Sequence, residues 1–183
     1  MTNDKALDYP IIELGEPTLR KKASKVSDPT SAEIKHLVDG MLKSLKSAQG
    51  VGLAAPQVGI SKRLFLVSPT GNQTPPYTHV DDTLVVINPI IKPLNNKTDY
   101  DWEGCLSIPG FRAQVKRYKS IELSYTNLMG DTCKEAYHDF TARIIQHEFD
   151  HLEGIVFLDR LKDLSTLMTD GYYMKWLKET EET

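Results

Sequence analysis

Gln146-His147-Glu148-Phe149-Asp150-His151 reads H-E-x-x-H. The run before it, Phe140-Thr141-Ala142-Arg143-Ile144-Ile145, holds no Gly or Pro and spaces its apolar residues as a helix does. On a helix, His147 and His151 share one face, one turn apart, so both imidazoles can reach a single divalent metal. Glu148 stands beside a ligand but points to one side of it, which suits moving a proton better than binding the metal. Asp139 can cap the start of this helix and Gly154 can end it. Paired histidines on a helix can equally be surface groups or satisfied core groups. Two are also too few, because a catalytic metal commonly takes three protein ligands.

Working outward, 183 residues with 40% hydrophobic and 26% charged residues fit a single catalytic domain over 1–183 with a real core. A net charge of −3 and a pI near 6.0 offer no electrostatic case for nucleic acid or an anionic membrane. Met1 to Pro10 is polar and does not read as a signal peptide, and no stretch reaches the length of a membrane span. Cys105 and Cys133 read as free thiols of a cytoplasmic protein.

Thr30 to Ser47 is the clearest helix, with Ile34, Leu37, Val38, Met41, Leu42 and Leu45 on one face and Thr30 and Glu33 as a capping box. Residues 1–29 read as irregular, with Ile11-Ile12 and Leu14 as anchors onto the core. Gly50-Val51-Gly52-Leu53-Ala54-Ala55-Pro56-Gln57 is too rich in small residues for a filled element. It is either a tight connection under a sheet or a substrate-facing wall in which Gln57 offers an amide donor. Arg63 to Val67, Leu84 to Ile91, Ser120 to Tyr125 and Thr132 to His138 read as strands, the last two as a hairpin. Ser68 to Asp82, with His79, reads as a long exposed loop. Cys133 and His138 read as structural. Leu164 to Leu177 reads as a terminal helix, weakened by Asp170-Gly171, and Glu179 to Thr183 as a frayed acidic tail.

The third ligand is not where the large H-E-x-x-H protease classes keep it. The position of their downstream histidine is Phe157, and the late glutamates Glu179, Glu181 and Glu182 sit in the tail. A zincin-like metalloprotease is therefore the second reading. Upstream, Glu103-Gly104-Cys105-Leu106-Ser107 offers a thiolate behind a glycine that lets the backbone turn or approach a ligand. A lone cysteine is also a small buried hydrophobe.

Three stretches carry more weight together. Gly50 to Gln57 (G-x-G-x-A-A-x-Q), Glu103 to Ser107 (E-G-C-x-S) and Gln146 to His151 (Q-H-E-x-x-H) occur in this order. Over about Gly50 to Arg160 the chain closely resembles the bacterial type of peptide deformylase, which removes the formyl group from the N-terminal methionine of new proteins. The resemblance implies an α+β fold, with antiparallel β-sheets around a central helix that carries the H-E-x-x-H motif, plus an N-terminal-half helix and a C-terminal helix. It implies Cys105, His147 and His151 as metal ligands, Fe(II) as the metal, and nickel, cobalt or zinc as substitutes. It implies Glu148 as general base and acid, and the Gln57 amide and the Leu106 N–H as oxyanion donors. Val51, Phe140 and Ile144 should line a methionine slot with Arg143 near its rim. Gly52 and Gly104 should meet the substrate, and Glu103 and Arg112 should stand at the entrance, where they can pair with each other. N-formylmethionyl peptides would be the substrates of a monomer that associates transiently with the ribosome. The acidic tail argues against strong docking on ribosomal RNA.

Overall fold

Leu64-Phe65-Leu66-Val67 is apolar at every position, which is the pattern of a strand covered on both faces. The structure, a computed structural model, describes residues 8–68 and 83–181. In chain order its main elements are α1 (Ala32–Ser47), β1 (Gly52–Ala54), β2 (Leu64–Val67), β3 (Leu84–Pro93), β4 (Thr98–Cys105), β5 (Ile108–Tyr118), β6 (Ser120–Thr126), β7 (Thr132–His138), α2 (Asp139–Leu152), β8 (Met168–Thr169) and α3 (Asp170–Glu181). Two antiparallel sheets form, one ordered β1-β2-β3-β6-β7 and one ordered β4-β5-β8.

All four side chains of β2 are buried. Leu64 and Leu66 pack with Leu37, Val38 and Met41 of α1, while Phe65 and Val67 pack with Ala142 and Ile145 of α2. Successive strand residues point to opposite faces, so the larger sheet is a middle layer between two helices. A third cluster, Ile108, Ala113, Val115, Val156 and Phe157, holds the smaller sheet near the C-terminal end of α2. The central-helix architecture read from the sequence is the one observed.

Several boundaries differ, each for a local reason. The cap of α1 is Ser31, whose hydroxyl accepts the Ile34 N–H at 3.3 Å. Thr30 is diverted because its N–H and hydroxyl both bond Asp28, at 2.9 and 2.7 Å, so the Thr30–Glu33 box does not form. Asp139 does not cap α2. It lies in the left-handed region at φ 48°, and its N–H donates to the Lys119 carbonyl at 2.8 Å. Gly154 does end α2, at φ 73°, with Ile155 N–H donating to the Asp150 carbonyl and Gly154 N–H to that of His151.

Gly52–Ala54 does form a strand, and Ala55–Val58 follows as a 3₁₀ turn. Strands β4 and β5 have no counterpart in the sequence reading. Along β4 most side chains are exposed or half-buried and show no apolar alternation, while on β5 the alternation of Phe111, Ala113 and Val115 is short and ends at Arg117, a buried arginine. The terminal helix starts only at Asp170. Leu164–Thr166 is a 3₁₀ turn, and Met168–Thr169 pairs with Arg112 and Phe111 of β5. Tyr173 and Trp176 dock α3 onto Trp102, with ring centroids 5.1 and 5.4 Å apart. The expected acidic tail is helical through Glu181. The loop expected at Ser68 to Asp82, with His79, lies outside the described residues beyond Ser68. Cys105 and Cys133 are both free.

Candidate metal centre

Gln146 sets the height of α2 against the smaller sheet. Its amide accepts the Tyr118 N–H at 3.0 Å and donates to the Tyr118 and Ala142 carbonyls, both at 2.9 Å. One turn of α2 then carries His147 and His151 toward the end of β4, where a register shift between Gly104 and Cys105 turns the thiol inward. Cys105 Sγ lies 3.3 Å from His151 Nε2, and the candidate ligand atoms of Cys105, His147 and His151 all lie within 4.8 Å of one another.

That spacing fits a cation. Metal–sulfur and metal–nitrogen bonds of about 2.3 and 2.0–2.1 Å at tetrahedral angles place S and N roughly 3.5 Å apart. One thiolate with two imidazoles is a donor set for a borderline divalent metal. Phe157, at the downstream position of the protease classes, stacks on the His147 ring at 6.3 Å and supplies no ligand. The third candidate ligand, Cys105, comes from upstream.

Glu103 decides which nitrogen His147 presents. Its Oε2 lies 2.9 Å from His147 Nδ1, which leaves Nε2 to face the centre. The same carboxylate takes Arg117 Nε and Nη2 in a fork, each at 2.9 Å, and Arg143 Nη1 at 2.9 Å. Arg117 continues to Asp150 at 2.6 Å, and Arg160 Nε also reaches Asp150, at 2.9 Å. Burial opposes the charge on Glu103, but the His147 and Arg117 hydrogen bonds outweigh it and hold the carboxyl far below its ordinary range. For His147 too, burial opposes the charged form, and the bonds to Cys105 and Glu103 overcome it. His151 Nδ1 has no hydrogen-bond partner among the described residues, and burial keeps the pKa of this imidazole well below the usual value.

One expectation is corrected here. Glu103 is not an entrance residue paired with Arg112; it is buried beneath His147 and paired with Arg117 and Arg143. Arg143 lines the cleft with Phe140 and Ile144. It is 5% exposed, and its guanidinium is spent on Asp99, Glu103 and the Val115 carbonyl. Arg112 instead pairs with Asp170.

Glu148 is buried against β1. A Cβ added to Gly52 would lie 2.3 Å from Glu148 Oε1, so the glycine makes room for the carboxylate. Glu148 Oε2 has no hydrogen-bond partner among the described residues, and burial pushes the carboxyl up to about 7. Gln57 is held at both ends. Its Oε1 accepts the Ala54 N–H at 2.8 Å, and its Nε2 donates to Ser107 Oγ at 3.2 Å and faces Cys105 Sγ at 3.5 Å. The N-terminal segment braces the same pair through its backbone, with Ile12 N–H on the Gln57 carbonyl and Leu14 N–H on that of Ser107, both at 2.8 Å. Leu14 is otherwise exposed, so it anchors by its amide rather than its side chain.

Every site residue read from the sequence except His151 lines one cleft of about 570 Å³. Val51, Gly52, Gln57, Phe140, Ile144 and Glu148 stand around Cys105 and His147, with Gly104, Leu106 and Arg112. The sequence reading missed Arg117, Asp150, Arg160, Ser107 and Asp170. A charge at a buried strand position between Val115 and the end of β5 was the available sign of Arg117.

Known proteins of the same build are recognisable. A family profile described as polypeptide deformylase matches residues 8–166. Peptide deformylase 2 of Nostoc sp. (strain PCC 7120) is 42% identical over 173 residues, 94% of this chain and 97% of that one. The crystal structure of peptide deformylase from Thermotoga maritima superposes with a TM-score of 0.76 at 36% identity, covering 85% of this chain and 98% of that one. The class I type b enzyme of Acinetobacter baumannii, solved with Met-Ala-Ser bound, gives a TM-score of 0.76 at 34% identity, over 85% of this chain and 99% of that one. With the profile spanning most of its length, this chain belongs to the polypeptide deformylase family.

Proposed function

We propose that this chain is a metal-dependent hydrolase that removes the formyl group from the N-terminal formylmethionine of nascent polypeptides and releases formate. The observation that carries this reading is a buried Glu148 with an unpartnered oxygen beside the Cys105-His147-His151 cluster. Cys105, His147 and His151 would hold one divalent cation, Fe(II) in the cell, with nickel, cobalt or zinc able to substitute. When bound, such a cation supplies Lewis-acid polarisation and lowers the pKa of water to about 7.

The chain's own groups do the rest. Glu148 takes a proton from the attacking water and returns it to the leaving amine; its raised pKa keeps both directions accessible near neutral pH. The Gln57 amide, held in one orientation by Ala54 and Ser107, donates to the formyl oxygen as charge develops there, and the Leu106 N–H is its companion. The methionine side chain enters between Val51, Phe140 and Ile144, and Gly52 and Gly104 let the peptide backbone approach. We assign this activity to a single cytoplasmic, monomeric domain that meets its substrate at the ribosome. None of the helices among the described residues is long and apolar enough to cross a membrane.

Formate release from formyl-Met-Ala-Ser by anaerobically purified, iron- or nickel-loaded protein tests the reading. Absence of turnover with a loaded metal would end it.

A further inference from the structure

At the outer end of the cleft, charge is arranged in a way the deformylation chemistry does not use. Three cationic or anionic side chains of the lining, Glu103, Arg143 and Glu148, are buried in the roles given above. Arg112 and Asp170 differ: both line the cleft, their side chains are 40% and 46% exposed, and Arg112 Nε donates to Asp170 Oδ1 at 2.8 Å.

The fold builds this pair deliberately at one place. Arg112 is the cross-strand partner of Gly104, the residue next to Cys105. Its side chain lies over that glycine, since a Cβ there would meet Arg112 Cγ and Cζ at 3.5 Å. Met168 pairs with Arg112 across β5–β8, which delivers the start of α3, and so Asp170, to the guanidinium. Tyr173, one turn further on, sits under the same group, with Cζ 5.0 Å from its ring centroid. An extended peptide advances about 3.3 Å per residue. With its formyl group beside Cys105, a peptide leaving over Gly104 therefore carries its second or third residue past Arg112.

On the reading of the site given above, we infer that Asp170 is a specificity-determining residue. By occupying Arg112, it removes the mouth's attraction for a carboxylate at the second or third residue of the substrate, so that acidic and neutral N-terminal sequences are processed alike. Without Asp170, Arg112 would present an unneutralised guanidinium, the best side-chain partner for a carboxylate. The cleft would then favour peptides bearing one there.

The test compares kcat/KM for formyl-Met-Ala-Ser with a free C-terminal carboxylate and for the same peptide as its amide, on metal-loaded wild type, D170N and D170N/R112Q. Asparagine keeps the shape of the side chain and its ability to start a helix. The acid-to-amide ratio should be near one for wild type, rise about three- to fivefold in D170N mainly through KM, and return toward one in the double variant. The rise should also shrink in high salt, as an exposed charge pair requires. An unchanged ratio in an active D170N, or a rise that persists without Arg112, overturns the inference. Because the amide is an internal reference, loss of activity on both peptides by wild type would instead count against the deformylase reading itself.

Discussion

Replacing Glu103 by glutamine keeps the shape of the side chain and removes its charge. The wild-type carboxylate accepts four hydrogen bonds, two from Arg117, one from Arg143 and one from His147. Glu103 and Arg117 are each 5% exposed, so solvent does little to screen them. Leaving a buried charge without its partner costs about 3–5 kcal/mol. Arg117 keeps Asp150 and Arg143 keeps Asp99, which places the expected loss near the lower end, about 3 kcal/mol. For 183 residues at about 2.1 cal/mol/K each, the unfolding entropy is roughly 0.4 kcal/mol/K, so Tm should fall by about 8 °C. Thermal unfolding of metal-free protein measures this without interference from ligation. His147 also loses the acceptor that orients it, and metal affinity should drop about 10- to 100-fold in a competitive chelator titration. The pH dependence has a definite sign. Glu103 is depressed in the folded state, so its contribution is complete above its ordinary value of 4.5 and is lost progressively as pH falls below it. The stability gap between wild type and E103Q should therefore hold at neutral pH and narrow in acid. A metal-free Tm within 1 °C of wild type, or a metal affinity within about twofold, would refute the assigned role.

Glu148→Gln should lower kcat by about 10²–10⁴-fold while leaving metal content unchanged by elemental analysis, and the acid limb of kcat/KM at or below pH 7 should disappear with it. Ser107→Ala should lower kcat about tenfold with KM little changed, because the Gln57 amide loses one of the two partners that fix its orientation; Gln57→Ala should lose about 10²–10³-fold, and equal losses in steady-state assays would argue that Ser107 does more than position. Gly154→Ala should destabilise by at least about 1–2 kcal/mol in chemical denaturation, since the residue sits at φ 73° and a Cβ would lie 2.7 Å from the Arg20 carbonyl oxygen.

What the chain made legible on its own is whatever depends on near neighbours. The face of α1 and the pairing of His147 with His151 repeat at helical spacing. The β6–β7 hairpin shows as alternation, and the all-apolar β2 as a strand covered twice. Cys105 as third ligand rested on resemblance to a family, since nothing in its spacing ties it to a helix some forty residues later. Tertiary structure alone decided where charge goes. The sequence placed Glu103 and Arg143 beside the substrate and gave Arg117 and Asp150 no role, yet the four meet as one buried network beneath His147. A charged group is buried only where distant segments bring its partners to it. The same dependence hid β4, whose exposed positions show no apolar alternation, and β5, whose short alternation at Phe111, Ala113 and Val115 is cut off by the buried Arg117. It also hid Asp170, which reaches the cleft only because two residues of β8 pair with β5.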